Sequence, residues 1–558
     1  MNSTTATKNT DQKAAGVKEI RIVVLDNIAN QGHEILESTP GVSYEVHTGL
    51  AGDDLKAKLA EFDGAVCRSG VTITAESIEG NTRLKGITRA GVGTDNIDKV
   101  AATRQGIVVM NTPGGNTVST AEHTIALMLG LSRNIAPAYA SLIEGKWDRK
   151  KFSGKQLHGK TLGIVGLGRI GQEVAIRAKA FGMKVVGYDP FLSDQQTENL
   201  GITPVKDVEE LLPLVDYLTV HTPLTEETKG MIGKDQIAKF TPGARLINCA
   251  RGGIYDEAAL IDGLRSGQLG GVALDVYEEE PCTDSALFGM PGVLCTPHLG
   301  ASTEEAQIQV AVEAVELLIN YLQKGEIRHA VNTIAMDPQT LERMRGYLDV
   351  AYRLGCFLAG WHGGAIDNAC IELQGEISGE DQRILRSAFC AGLLNHVADN
   401  ITIVNAEAIV ADRGITVVTK STPEHGAFAS VVSAEISGEG QTVQAAGTLF
   451  GKNMPRLIRV GEYATDAYMD GTILMFNHRD IPGIIGNVGV ILADADVNIA
   501  QMAVGRQNDM SGGPAIGVLN LDAEAPAAAI EKVVALEGIN TANMIALPPQ
   551  GEFPDWLA

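Results

Sequence analysis

Three residues of this amino-acid sequence follow short apolar runs and have the types needed to move a hydride and a proton. They are Arg251 after RLINCA, Glu280 in VYEEEP and His298 after VLCTP. A guanidinium is a permanent planar cation that can grip a carboxylate and polarise the carbonyl beside it. A histidine titrates near neutral pH, so it can take a hydroxyl proton as hydride departs. A carboxylate within reach of that imidazole fixes its orientation and supports its charged form. The set suits the oxidation of a 2-hydroxy acid. Each member alone has a plainer reading, since a lone histidine is commonly structural and Glu278, Glu279 and Glu280 form a run that fits a solvated loop. What sets the three apart is that they share one edge with His221 and Thr222 after YLTV, Asn248 after RLI and Asp275 after GVAL. In open α/β sheets, ligands bind outside the carboxyl ends of the strands.

The second signal is Gly166-Leu-Gly168-Arg-Ile-Gly171, directly after the apolar run TLGIVG and opening the helical pattern RIGQEVAIRAKAFG. The first glycine permits a tight turn, the second lets backbone approach a pyrophosphate, and the third packs helix on strand. The helix N-terminus then offers free N–H groups to the phosphates. Eighteen residues after Gly171, at the end of the next run, stands Asp189. A carboxylate there accepts ribose hydroxyls and repels the extra phosphate of NADP, so the expected cofactor is NAD.

These residues need a scaffold, and the rest of the pattern supplies one. From Ile20 to Asn111, β-branched runs (IRIVVLD, GAVCR, GITRA, GIVVM) alternate with helical stretches, as in a small parallel α/β unit. A helical pattern from Val118 to Gly145 predicts a connecting helix. Six near-continuous apolar runs from Lys160 to His298 predict a doubly wound parallel sheet. The amphipathic stretch Thr303 to Lys324 predicts a helix returning to the first lobe, so the second sheet is inserted into the first unit. Beyond Val331 the composition shifts to Gly, Ala, Ser and Val with alternating strands (AIDNACIEL, ITVVTK, FASVVSAEI, QTVQAAGTLF, PRLIRV). The last ninety or so residues read strand, loop, helix, strand. The expected division is a disordered tail at 1–18, a substrate-binding unit at 19–112 and 300–330, a cofactor unit at 113–299, an intervening unit at 331–467 and a terminal unit at 468–558.

The 558 residues exceed any single compact domain, and 45 basic against 68 acidic residues leave a net charge of −23. Such a surface repels phosphate backbones and anionic lipid, so nucleic acid and membrane are not expected partners. Seven cysteines form no CxxC and are odd in number, which fits reduced thiols in a cytoplasmic setting. The eleven histidines lack ligand spacing, so no metal is expected. No run of eighteen apolar residues occurs, and the polar first nineteen residues have no secretory core.

In order and spacing, GLGRIGQEVA, Asp189, HTPL, NCARGG, ALDVYEEEP and PHLGAST resemble the D-isomer-specific 2-hydroxyacid dehydrogenases. Within that family the chain is most similar to the long members acting on D-3-phosphoglycerate, at the head of the phosphorylated route to L-serine. VCRSGVTIT and ITRAGVGTDNID carry that likeness upstream. The resemblance implies hydride-transfer orientation for Arg251, pairing for Glu280 and acid/base work for His298. It places Gly166, Gly168, Arg169, Ile170, Gly171, Asp189, Thr222, Cys249, Asp275 and Gly300 around NAD. It gives Arg68, Arg89 and Gly91 to the substrate's phosphate and carboxylate. Val92 departs from members with a threonine there.

DNITIVNAEAIVADRGI resembles part of the long members' intervening domain, and the terminal unit resembles an ACT regulatory domain. The likeness carries effector contacts for L-serine onto His478, Asp480 and Asn498; alternatively His478 and Asp480 cap the helix opened near Pro482. Lys452 and Arg456 read as solvated charge or as an anion site. By resemblance the fold is a doubly wound parallel-sheet NAD domain inserted in a flavodoxin-like α/β substrate domain, followed by an α+β intervening domain and a ferredoxin-like ACT domain. The assembly is expected to be a homotetramer. Two alternatives stay open: a dehydrogenase of hydroxypyruvate, glyoxylate or 2-oxoglutarate, and a non-catalytic NAD-sensing scaffold.

Overall fold

The computed structural model describes residues 19–334, 338–397, 401–507 and 512–554; the tail expected at 1–18 lies outside them. Five strands, Ile20–Val24, Val42–Val46, Gly64–Cys67, Gly86–Arg89 and Val108–Asn111, form a parallel sheet in the spatial order 2-1-3-4-5. That is the flavodoxin-like order. The returning helix Glu304–Lys324 starts at Thr303, whose side chain accepts from Ala306 N–H, and ends at the left-handed Gly325. Its Val310, Ala314 and Leu318 pack with Ile22, Val24 and Val66 of the sheet. Such close approach needs small residues below it: a Cβ on Gly64 would come within 2.8 Å of Leu322.

Between departure and return, seven parallel strands run from Thr161–Val165 to Val293–Cys295. Counted from the first, their order is 3-2-1-4-5-6-7, a dinucleotide-binding sheet extended by one strand. Two apolar clusters line it, one around Leu218, Leu246 and Leu260, the other around Leu162, Ile164 and Val174. The order reverses between Thr161–Val165 and Tyr217–Val220, so the crevice opens where Gly166 and His221 follow those strands.

The connecting helix expected over Val118 to Gly145 is instead two helices, Thr117–Ser132 and Ile135–Ile143. Asn134 breaks it at φ +52°, a left-handed geometry that asparagine tolerates better than most residues. The strands Val42–Val46, Thr203–Pro204 and Tyr463–Tyr468 escaped the sequence reading because none is a continuous apolar run; each lies at the edge of its sheet.

Beyond the second sheet, the long helix Pro338–His362 and the helix Gln382–Leu394 pack against a six-stranded mixed sheet. Its strand Asn368–Gly375 pairs parallel with Thr416–Thr422 and antiparallel with Ser430–Gly438. Arg456 there is not solvated charge: its side chain is 11% exposed, its Nε lies 2.9 Å from Asp466 Oδ1, and its guanidinium sits 4.1 Å from the Tyr468 ring centroid. The last unit places four antiparallel strands with two helices in the order 2-3-1-4, the ferredoxin-like arrangement. One buried arginine ties it to the helix Pro338–His362. Arg353, 1% exposed, pairs with Asp349 and donates to the carbonyls of Met469, Pro548, Pro549 and Glu552.

Candidate active site

Glu280 and His298 come from separate loops at the carboxyl ends of neighbouring strands, Leu269–Leu274 and Val293–Cys295. His298 Nδ1 lies 2.6 Å from Glu280 Oε2. Burial raises the cost of charging Glu280, yet the His298 hydrogen bond and charge, the Tyr277 N–H and the Arg251 cation outweigh it and hold the carboxyl below its usual range. An ionised carboxylate can only accept, so Nδ1 carries the hydrogen and Nε2 is left as the ring's basic nitrogen. The acidic run is therefore not all solvated loop.

Arg251 follows the strand Ala244–Asn248. Its Nε donates to Asp95 Oδ2 at 3.0 Å and its Nη1 to Ala250 O at 2.6 Å. Its Nη2 faces Gly93, where a Cβ would stand only 1.9 Å away. Arg89, at the end of the strand Gly86–Arg89, presses in the same way on Gly91, with 1.9 Å between Nη1 and an added Cβ. Its Nε is buried without a hydrogen-bond partner. Burial lowers the Arg89 pKa, and the nearby charges of Arg251 and Arg68 lower it further. Arg68 Nη1 donates to Asn27 O at 2.9 Å. Three guanidinium groups thus crowd one crevice between the two sheets, an arrangement that costs repulsion until an anion enters it.

The cofactor crevice has the features NAD requires. Gly166 has φ +89°, and a Cβ there would come 2.6 Å from His221 O. Gly171 is packed on Gly166 O at 2.1 Å from a would-be Cβ, whereas Gly168 opens on free space. The helix Arg169–Ala180 begins there with no side-chain cap, so its first N–H groups are available. Asp189 accepts from Leu167 N and Phe191 N, which holds its carboxylate beside the Gly166–Gly168 turn. Thr222 Oγ1 is buried without a partner beside Gly166. Ile170 packs partly buried on the sheet, and Cys249 is a buried thiol pushed up to about 12. Asp275 is fully buried, and its carboxylate accepts from Thr296 Oγ1, Leu299 N and Gly300 N.

Comparison with known proteins decides among dehydrogenases that share this geometry. The NAD binding domain of D-isomer specific 2-hydroxyacid dehydrogenase matches residues 125–300, and the D-3-phosphoglycerate dehydrogenase intervening domain matches residues 343–461. The D-3-phosphoglycerate dehydrogenases of Archaeoglobus fulgidus and Methanocaldococcus jannaschii are 38% and 39% identical to it, over 95% of this chain and 100% of each of theirs. The chain belongs to the D-3-phosphoglycerate dehydrogenase family. It is an NAD-dependent oxidoreductase, and the two alternative readings of the sequence give way. Among solved structures, an NAD-dependent formate dehydrogenase from Staphylococcus aureus in complex with NAD is 31% identical, with a TM-score of 0.51 over 57% of this chain and 100% of that one. D-2-hydroxyisocaproate dehydrogenase is 29% identical, with a TM-score of 0.51 over 56% and 99%.

The three residues expected to contact an effector, His478, Asp480 and Asn498, do not meet within one chain. His478 lies opposite Ala515 on the central strand, and Asp480 follows just beyond that strand and pairs with Arg506 at 2.8 Å. Asn498 precedes Ile499, which is opposite Leu521 and hence level with Thr472 at the other end of the sheet. His478 is buried with Nε2 unpartnered. The helix after Pro482 takes Gly483 as its cap with no side-chain cap bond, so His478 and Asp480 do not cap it.

Three polar residues around the site were given no role by the sequence reading: Asp95, His123 and Thr296. Asp95 stood inside ITRAGVGTDNID, and His123 sits in the largely apolar helical stretch AEHTIALMLGL. Among the described residues no helix is long and apolar enough to cross a membrane, and no group of three His, Cys, Asp or Glu is placed to hold a metal.

Proposed function

We propose that the dehydrogenase oxidises D-3-phosphoglycerate by proton transfer to His298 Nε2 while Arg251 holds the carboxylate and the reacting oxygen. Bound NAD supplies the hydride acceptor. Glu280 keeps the imidazole in the productive tautomer, and Arg68 and Arg89 bind the phosphate and carboxylate beside Gly91. Gly166, Gly168, Arg169, Gly171, Asp189, Thr222 and Gly300 hold the cofactor, with Ile170, Cys249 and Asp275 shaping its walls. The observation that carries this reading is the crowding of Arg68, Arg89 and Arg251 in one crevice, with Arg251 beside the histidine–glutamate pair. One carboxylate does not need three cations, whereas a phosphorylated hydroxy acid does.

The same reading divides the chain at about residues 112, 299, 330 and 467, and takes the terminal unit as a sensor for L-serine. Since His478 and Asp480 lie at the opposite end of the sheet from Asn498, a site using all three draws on two copies of the chain. A homotetramer fits this. It is also supported by the exposed apolar face of Ile135, Tyr139, Leu142 and Ile143, with Trp147 at 78% exposure beside it. The free thiols of all seven cysteines fit a cytoplasmic enzyme.

The test is NADH oxidation with 3-phosphohydroxypyruvate, hydroxypyruvate and 2-oxoglutarate, each with and without millimolar L-serine. A strong preference for the phosphorylated acid that serine suppresses supports both halves of the proposal. Equal rates on all three refute the phosphate-site assignment, and an unchanged rate with serine refutes the sensor.

A further inference from the structure

His298 has φ +55°, a left-handed backbone that a non-glycine residue holds only when its surroundings impose it. The restraint comes from Asp275. Its main-chain oxygen accepts from His298 N at 2.9 Å, while its carboxylate takes the next two N–H groups, Leu299 at 2.7 Å and Gly300 at 2.8 Å. Thus one residue grips the turn from both sides of the histidine. Asp275 is itself 0% exposed, and a buried carboxylate keeps one position only while donors surround it.

Two side chains complete that shell. Thr296 Oγ1 donates to Asp275 Oδ1 at 2.6 Å, and His123 Nε2 lies 3.1 Å from the same oxygen and 3.1 Å from Thr296 Oγ1. The geometry leaves Nε2 as the hydrogen-bearing nitrogen, shared between the carboxylate and the hydroxyl. Burial pushes the Asp275 pKa up, but the bonds from His123, Thr296 and Leu299 bring it below the usual range. The other titratable groups facing Asp275 are Cys249 and Tyr277. Burial raises the pKa of that thiol and that phenol, so both stay neutral beside the carboxylate. His123 belongs to the helix Thr117–Ser132, which lies outside the loops that carry Glu280 and His298.

We propose that His123 is a positioning residue for proton transfer, acting through Asp275 to hold the turn that aims His298. This rests on His298 being the acid/base group. His123 touches neither reacting atom; it fixes the carboxylate that fixes the turn. Loss of its N–H leaves buried Oδ1 with two of its three donors, Thr296 Oγ1 and Leu299 N, and the turn gains freedom that costs alignment rather than cofactor affinity.

The experiment compares His123→Leu, His123→Gln and Thr296→Val with wild type and with His298→Asn, measuring kcat, both KM values, the pH profile of kcat and NADH affinity by fluorescence. His123→Leu is expected to lose kcat about tenfold or more, with NADH affinity and both KM values within threefold and a displaced pH profile. His123→Gln, which keeps an N–H donor, recovers most of the rate. Thr296→Val removes another donor to the same oxygen and shows the same kcat-selective loss, so it also serves if His123→Leu fails to fold. A His123→Leu rate and pH profile matching wild type overturn the proposal, as does equal damage in the Leu and Gln variants. If His298→Asn keeps its rate, the acid/base assignment itself has failed.

Discussion

Arg251 and Asp95 join the two sheets: the guanidinium Nε donates to Asp95 Oδ2 at 3.0 Å, although the residues are 156 positions apart in the chain. Asp95 follows the strand Gly86–Arg89 and Arg251 follows Ala244–Asn248, so the contact crosses the cleft that substrate must enter. With Nε on Asp95 and Nη1 on Ala250 O, the guanidinium is fixed with its Nη2 edge turned toward Gly93. Asp95 orients the cation proposed to bind substrate, and it does so from the opposite lobe.

A Gly93→Ala substitution tests whether that orientation matters. The new Cβ would lie 1.9 Å from Arg251 Nη2, the far end of a flexible side chain, so the fold can accept it by moving the arginine. The expected result is a thermal midpoint close to wild type with kcat/KM for 3-phosphohydroxypyruvate down by about 100-fold. Wild-type kinetics in this variant would show that Arg251 works from another position.

His298→Asn removes the ring nitrogen proposed to take the proton but leaves the NAD crevice untouched. General acid/base catalysis is worth about 10²- to 10⁴-fold, and the loss of kcat should fall in that range. NADH fluorescence titration should give an affinity within a few-fold of wild type. Retention of most of the rate would remove His298 from the mechanism.

Much of this site was legible in the sequence because strand ends and glycine turns leave local marks. Gly166, Gly168 and Gly171 stand out by spacing, and their packing follows from the turn they make. Glu280 was ambiguous within an acidic run, since only the three-dimensional meeting with His298 separates it from Glu278 and Glu279. His123 left no mark at all: its partner Asp275 is 152 positions away, and such pairings have no local pattern. The break at Asn134 was hidden because apolar periodicity continues on both sides of it. The helix Pro338–His362 was missed for a related reason, as its charged residues include the buried Arg353 and Asp349 and so blur the apolar stripe.

His221 predicts an acid sensitivity of the fold. Burial alone lowers its pKa from 6.5 to about 3, and its Nδ1 is buried without a partner. The unfolded chain takes up a proton below pH 6.5, while the folded chain refuses it until about pH 3. The neutral ring is therefore no liability above pH 6.5, and each unit of acidification below it costs up to about 1.4 kcal/mol from this residue. Thermal midpoints measured from pH 7.5 to 5 should fall more steeply for wild type than for His221→Asn. Parallel curves would mean that the ring is protonated in the folded protein as readily as in the unfolded one.

Arg68 gives the sharpest test of the phosphate site, because its hydrogen bond to Asn27 O is exposed whereas Arg89 Nε is buried, and its loss leaves the Arg89–Arg251 pair in place. A hydrogen bond to a charged group is worth about 1.5 to 3 kcal/mol, or about 10- to 150-fold. Arg68→Gln should lower kcat/KM for 3-phosphohydroxypyruvate by that factor and leave hydroxypyruvate, which has no phosphate, nearly unchanged. The ratio of the two specificities is the quantity to read, since a general loss of fold or of cofactor affinity would lower both together. If the ratio stays at its wild-type value, the phosphate is read by other groups, and the crowding of the three cations serves the carboxylate and the developing alkoxide alone.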